Sequence, residues 1–493
     1  MGIEIDRTEF TAADYSAFEG QLERNLAELQ VLLDDSKFGE GPASLGAELE
    51  VYIVDAAGDP LFANQEILSA AADPQLTLEL NRYNLEYNLS PCTISNSAFA
   101  AAEREIIDRL AHLRSVAAPL GGRIVPIGIL PTLRQSDFGA HSMTGRRRYQ
   151  ALVNQLIKRR GDKFHIDING EDPLKLELGD ITLEGANTSF QVHYRVRPAE
   201  FADTFNAIQL VTPLAVGIGA NSPTLFGHRL WHETRIPLFK QSIDTRHIDR
   251  YSWREPARVN FGQGWVRRGV AELFREVVRI YPPLLPVCRE QLPNDKPKDG
   301  VAPALAELRL HQSTVWLWNR PVYDDAEGGH LRIEMRALPA GPTAIDMVAN
   351  AAFLIGLAEG IRPQLEELLP ALPFPKAEYN FYRAAQHGLD ARLLWPDLNQ
   401  SGYREQSLGN IIERLLPVAR EGLDTIGVST AESERYLGII EQRLRHRQTG
   451  ASWQLRKLQN LLRKMSLAKA QHALLEEYLE HSVANLPVAE WPL

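Results

Sequence analysis

Four short stretches place acids, amides, imidazole or guanidinium groups at every second position. In LGAELEVYI, Glu48 and Glu50 alternate with Leu45, Ala47, Leu49, Val51 and Ile53. In LEYNL, Glu86 and Asn88 alternate with Leu85, Tyr87 and Leu89. In FQVHYRV, Gln191, His193 and Arg195 alternate with Phe190, Val192, Tyr194 and Val196. In LRIEMRAL, Arg332, Glu334 and Arg336 alternate with Leu331, Ile333 and Met335. Glutamates, a glutamine and a histidine offer oxygen and nitrogen ligands suited to Mg²⁺ or Mn²⁺, the histidine leaning toward Mn²⁺. Arg235, Arg320, Arg332 and Arg336 lie in or beside these segments, and the planar guanidinium matches carboxylate and phosphate oxygens. Acids to hold a divalent cation, with arginines to hold anions, are the equipment for phosphoryl transfer, where catalysis is mostly positioning and charge neutralisation.

A period of two is the signature of strands, so each stretch has one apolar and one polar face. Glu48 and Glu50 then share a face about 7 Å apart. Two readings stand side by side here. One is an antiparallel sheet with a solvated side. The other is a metal site, because like charges crowded on one face repel unless cations sit among them. Around the strands, residues 11–35 have helical spacing (Phe18, Leu22, Leu26, Leu29, Leu32) and predict an N-terminal helix. FHIDINGEDPLKLEL predicts two strands around Asn169-Gly170. The uncharged stretch between Asp203 and Arg229 predicts a buried core helix plus loop rather than a membrane span. A soluble loop is expected at 292–303, and Pro363, Pro370, Pro373 and Pro375 mark a junction. Beyond Lys376 the pattern is almost all helical. The division this suggests is an N-terminal helix over 1–40, a catalytic domain over 41–376 and a C-terminal helical region over 377–493.

The 493 residues are 44% apolar and 24% charged, an ordinary globular mix that excludes a mainly disordered chain. A formal net charge of −10 argues against a partner such as nucleic acid. Two cysteines, Cys92 and Cys288, are too few for a disulfide framework or a Cys-based zinc site. With no apolar segment at the start, a cytoplasmic location is expected, with no membrane partner. The Walker A loop and the G-x-S-x-G elbow are absent, and His232-Glu233 lacks the second histidine of a zinc protease.

Read in order, the chain resembles the glutamate–cysteine ligase / carboxylate–amine ligase family, among the glutamine-synthetase-like ATP-dependent ligases. The resemblance runs from about 45 to 455. It rests on Gly46-Ala47-Glu48-Leu49-Glu50, Leu85-Glu86-Tyr87-Asn88, Arg148-Tyr149 and Gln191-Val192-His193. It continues through Asn221-Ser222-Pro223 with Thr234-Arg235, Trp318-Asn319-Arg320-Pro321, Ile333-Glu334-Met335-Arg336, the segment 382–391 and Thr449-Gly450-Ala451 with Gln454. Gln386 stands where the family commonly has arginine, and the region 240–305 has no clear counterpart.

The resemblance implies an α+β fold: a curved antiparallel sheet forming an active-site funnel, backed by helices, with a C-terminal helical region. It implies ATP, with Mg²⁺ or Mn²⁺ held by Glu48, Glu50, Glu86, His193 and Glu334. Arg336, Arg320 and Glu334 become the catalytic residues, the arginines neutralising the transferring γ-phosphoryl group. Arg235, Gln191 and Asn221 become substrate-binding residues, with Arg235 forking onto an α-carboxylate. The expected partners are a glutamate-like amino acid and an amine, cysteine being favoured, and a homodimer is expected as a possible assembly. The alternatives are a ligase of the same family with another amine acceptor, or a metal-dependent hydrolase.

Overall fold

The structure is a computed structural model that describes residues 5, 7–95, 97–246, 256–289, 301–396 and 404–493. Most of the expected 292–303 loop lies outside the described residues. The alternating segments form one sheet. Its strands are β1 (Ser44–Val54), β2 (Leu76–Leu78), β3 (Asn84–Asn88), β4 (Cys92–Thr93), β5 (Arg123–Val125), β6 (Phe190–Arg195), β7 (Asn319–Asp324) and β8 (His330–Met335). The order is β7-β8-β6-β1-β3-β2, with β4 and β5 also pairing with β1, and every pair is antiparallel. The α+β arrangement expected from the sequence, a curled antiparallel sheet with helices behind it and at the C-terminal end, is the one adopted.

One sheet face is apolar because period-two alternation leaves Leu45, Leu49, Val51, Phe190, Val192, Ile333 and Met335 on the same side. They share a single core with the helices Phe201–Gly219, Ala344–Ile361 and Leu408–Thr425. Each fully buried aliphatic side chain contributes roughly 1.5–3 kcal/mol by leaving water. The stretches Pro198–Gly219 and Ala344–Ala371 are long and apolar enough to cross a membrane, but 89% of each apolar window is buried inside the protein, as a core helix requires. The helices Ala344–Ile361 and Leu408–Thr425 cross with their backbones almost touching. A Cβ on Gly422 would lie 1.9 Å from the Gly356 carbonyl oxygen, so only glycine fits.

The N-terminal helix runs Ala12–Asp34 behind a Thr11/Asp14 capping box. The strands Phe164–Ile168 and Leu174–Leu178 pair as expected, but across a five-residue loop, in which Gly170 lies close to the Arg229 carbonyl. The almost wholly helical reading beyond Lys376 needs one correction: Arg392–Trp395 pairs with Arg404–Ser407 as a two-stranded ribbon. That segment starts just past Gly388, which ends the preceding helix. Cys92 and Cys288 are free and half-buried, and burial raises both thiols, so neither is set up as a nucleophile.

Candidate active site

Strand register decides which polar residues meet. Glu48 of β1 stands opposite Gln191 on β6 and Asn88 on β3. Glu50 stands opposite Glu86. Glu334 of β8 stands opposite His193 on one side and Arg320 of β7 on the other. The polar face is therefore continuous across five strands, with β6 at its centre.

Two clusters emerge on it. In the first, ligand atoms of Glu48, His193 and Glu334 all lie within 4.8 Å of one another. His193 Nε2 is 3.2 Å from Glu48 Oε1, yet it is buried without a hydrogen-bond partner. Glu334 is almost fully buried. It accepts from Arg320 Nε, from Arg320 Nη2 at 3.0 Å and from Arg336 Nη1 at 2.8 Å. Burial alone would raise its carboxyl, but the guanidinium groups of Arg320 and Arg336 outweigh burial and hold it well below the usual carboxylate range. Arg336 also donates to Gln191 Oε1, and Gln191 Nε2 donates to Glu50 Oε1 at 2.7 Å, so one hydrogen-bonded chain links both clusters.

The second cluster is Glu50, Glu79 and Glu86, again with ligand atoms within 4.8 Å of one another. Burial and the neighbouring Glu48 and Glu50 push Glu86 up to about 8. Burial, then Glu86 and Glu50, lift Glu79 well above its ordinary value. Burial raises Glu50 too, although Arg336 and Arg235 oppose it. Three glutamates packed together without a cation must share protons; a divalent cation would replace those protons. Glu184 lies nearby and is pushed up to about 8 by burial and by Glu50.

The sign of the pH dependence follows. Glu86 titrates near 4.5 when unfolded and at about 8 when folded, so its contribution to stability is complete below the lower value and is lost as pH rises through the upper one. A metal ion that displaces this proton binds better at high pH. Millimolar Mn²⁺ is therefore expected to raise the melting temperature more at about pH 8.5 than at about pH 6, as calorimetry would record. An equal shift at both pH values would contradict a shared-proton cluster.

The structure brings together Glu48, Glu50, Glu86, Gln191, His193, Arg320, Glu334 and Arg336. Two of the expected substrate-binding residues have their polar atoms engaged inside the protein. Asn221 is fully buried: its Nδ2 donates to the Ala340 carbonyl and to Tyr478 Oη, each at 2.8 Å, and its Oδ1 accepts from Gln454 at 2.9 Å. It ties the chain to the C-terminal helices and offers no atom to a ligand. Arg235 is also buried, with Nη1 3.2 Å from both Glu233 Oε1 and the Ala337 carbonyl, and Nη2 on the Arg336 carbonyl at 3.3 Å. In this arrangement it braces the backbone that carries Arg336 instead of presenting a fork to a carboxylate.

The sequence reading did not single out Glu79 or Glu184. Glu79 follows β2, where Leu76, Leu78 and Leu80 alternate with Thr77 and Glu79, so the same period-two signal was present. Glu184 sits in the short turn Thr182–Ala186, which has no period. Two clefts open beside the first cluster. The smaller, of 120 Å³, is lined by Arg148, Arg309, Arg320, Arg332 and the acids Glu48 and Glu334. The larger, of 360 Å³, has Gly46, Leu89, Pro91 and Arg195 in its wall and is in the size range of a small-molecule site.

The profile of the family described as Glutamate-cysteine ligase family 2 (GCS2) matches residues 44–481. A protein of Trichormus variabilis named putative glutamate–cysteine ligase 2 is 32% identical over 117 residues, which is 23% of this chain and 28% of that relative. Among solved structures, a glutamate–cysteine ligase from Francisella tularensis in complex with AMP aligns over 92% of this chain and 96% of its own, at 13% identity and a TM-score of 0.45. A bifunctional glutathione synthetase from Pasteurella multocida aligns over 94% of this chain and 56% of its own, at 12% identity and a TM-score of 0.47. The family profile places the chain in the class of ATP-dependent ligases. Within that class it belongs to glutamate–cysteine ligase family 2.

Proposed function

We propose that this protein joins the side-chain carboxylate of glutamate, or of a close analogue, to an amine while converting ATP to ADP and phosphate, with cysteine as the leading acceptor. The observation that carries the reading is the meeting, on one sheet face, of two acid clusters with Arg320 and Arg336, in a chain of this family. A carboxylate is a poor acyl electrophile at neutral pH. Transfer of the γ-phosphoryl group of ATP to it gives an acyl phosphate. The amine nitrogen attacks that carbonyl carbon, the carbon–oxygen bond to phosphate breaks, and the amine gives up a proton.

The residues fit divalent cations. Glu48, His193 and Glu334 supply two oxygens and an orphaned imidazole nitrogen, and Glu50, Glu79 and Glu86 supply three oxygens, a donor set suited to Mg²⁺ or Mn²⁺. Bound there, the cations would neutralise phosphate charge. The chain's own part is positional. Glu334 fixes Arg320 and Arg336 side by side, and the guanidinium N–H groups they do not spend on it would be available to phosphoryl oxygens. Gln191 holds Arg336 and Glu50 in register. No side chain need act as a covalent nucleophile. We place the enzyme in the cytosol, where ATP and reduced thiols coexist.

The test is a screen of amino acids and amines for acceptor-dependent ADP release with glutamate, run with Mg²⁺ and with Mn²⁺. Cysteine is expected to give the highest turnover. Amide hydrolysis without ATP would indicate the metal-dependent hydrolase instead. ADP release that rises with another amine, and not with cysteine, would move the chain to a different acceptor within the family.

A further inference from the structure

A histidine that binds a metal through one ring nitrogen ordinarily donates its other N–H to a carboxylate or carbonyl. His193 has the opposite neighbour. Arg332 Nε lies 3.0 Å from His193 Nδ1, and an arginine Nε can only donate. His193 Nδ1 is therefore the acceptor, and the proton of the neutral ring sits on Nε2, the atom 3.2 Å from Glu48 Oε1. That is the nitrogen a cation in the Glu48–His193–Glu334 cluster would need. Arg332 does not reach this position by chance packing: its Nη1 is anchored on Asp324 Oδ2 at 2.7 Å, one strand further out. The ring cannot present a lone pair at Nε2 while Arg332 keeps its bond, because that would require either a doubly deprotonated ring or two facing N–H groups.

We propose that Arg332 is a positioning residue that opposes metal loading at the first cluster: it locks His193 in the Nε2–H form, and a cation enters only when Arg332 releases Nδ1. The Arg332 side chain lines both clefts flanking the cluster, so once released its guanidinium stays at the mouth of the site, where an anionic substrate would meet it. Metal loading and anion binding are thereby coupled through one side chain. This rests on reading Glu48, His193 and Glu334 as a metal site.

The prediction runs against the ordinary behaviour of a group supporting a metal ligand, whose removal weakens binding about 10- to 100-fold. Here removal of the donor tightens it. Arg332→Lys keeps the charge and loses the Nε–H, and is expected to bind Mn²⁺ roughly tenfold more tightly than the parent protein in a titration followed by the electron paramagnetic resonance of free Mn²⁺. The gain is expected to vanish when His193→Gln is added. Nitrogen-15 NMR of the metal-free parent protein is expected to show the His193 ring protonated at Nε2. Unchanged or weaker Mn²⁺ binding by Arg332→Lys, or a gain that survives His193→Gln, would overturn the proposal, as would a ring protonated at Nδ1. If neither protein takes up millimolar Mn²⁺ while the His193 ring is nevertheless protonated at Nε2, the metal reading of the cluster is what fails, and the gating proposal falls with it.

Discussion

Glu334→Gln is expected to lower acceptor-dependent ADP release by about 10²- to 10³-fold or more, the scale seen when one preorganised charge-stabilising group is lost. The substitution keeps the volume and one carbonyl oxygen. It removes the buried negative charge that two partly exposed guanidinium groups share. Without it, Arg320 and Arg336 repel each other across β7 and β8, and the hydrogen-bonded chain through Gln191 to Glu50 loses its anchor. The same change deletes one anionic ligand of the first cluster. Removing one partner of a buried ion pair costs about 3–5 kcal/mol of stability, so activity must be compared below the variant's own unfolding transition. Far-ultraviolet circular dichroism and a melting curve establish that the fold persists. A folded Glu334→Gln protein that releases ADP at the parent rate would remove Glu334 from the chemistry.

Much of the site was legible because strands translate sequence into faces directly. Glu48, Glu50, Glu86, Gln191, His193, Glu334 and Arg336 each alternate with apolar residues, and burying the apolar set forces the polar set onto one surface. Which strands neighbour one another was not legible. That Glu50 faces Glu86, and Glu334 faces His193, depends on pairing between segments far apart in the chain. Glu79 carried the right signal, but over a strand of only three residues. Glu184 carried none, since a single turn has no period to read. Asn221 and Arg235 show a different limit. A polar residue in a family-like motif can as readily brace the site as touch the substrate, and only its hydrogen-bond partners separate the two. Asn221 spends its amide on Ala340, Tyr478 and Gln454, and Arg235 spends its guanidinium on Glu233 and on the backbone of Arg336 and Ala337.

Those braces lead to the C-terminal helices, where the second large effect is expected. Arg443→Met should destabilise the protein by about 3–5 kcal/mol, read as a lower denaturation midpoint in urea. Arg443, in the helix Thr430–His446, is 1% exposed and pairs with Asp346, which is 0% exposed, at 2.8 Å. Its guanidinium also donates to Asn350 Oδ1, at 2.6 Å, and to the carbonyls of Ile218 and Asp346. One side chain thus joins the ends of two core helices, Phe201–Gly219 and Ala344–Ile361, to a third. Methionine fills much of the volume but takes away the partner of the buried Asp346 Oδ1, while Oδ2 keeps its bonds from Thr343 and Val488. Much of the cost is therefore the lost ion pair, and the double variant Arg443→Met/Asp346→Asn should be less destabilised than the sum of the two single changes. Simple additivity would mean the two groups do not act as a pair. The consequence reaches the candidate active site through packing, because the middle helix packs on β6 and its Val348 lines one small apolar space with Phe190 and Ala47, on the reverse of the strands that carry Gln191 and Glu48. A loosened Ala344–Ile361 helix is expected to lower turnover before the protein unfolds, and assays at increasing sub-denaturing urea would show ADP release falling ahead of the far-ultraviolet signal in Arg443→Met but together with it in the parent protein.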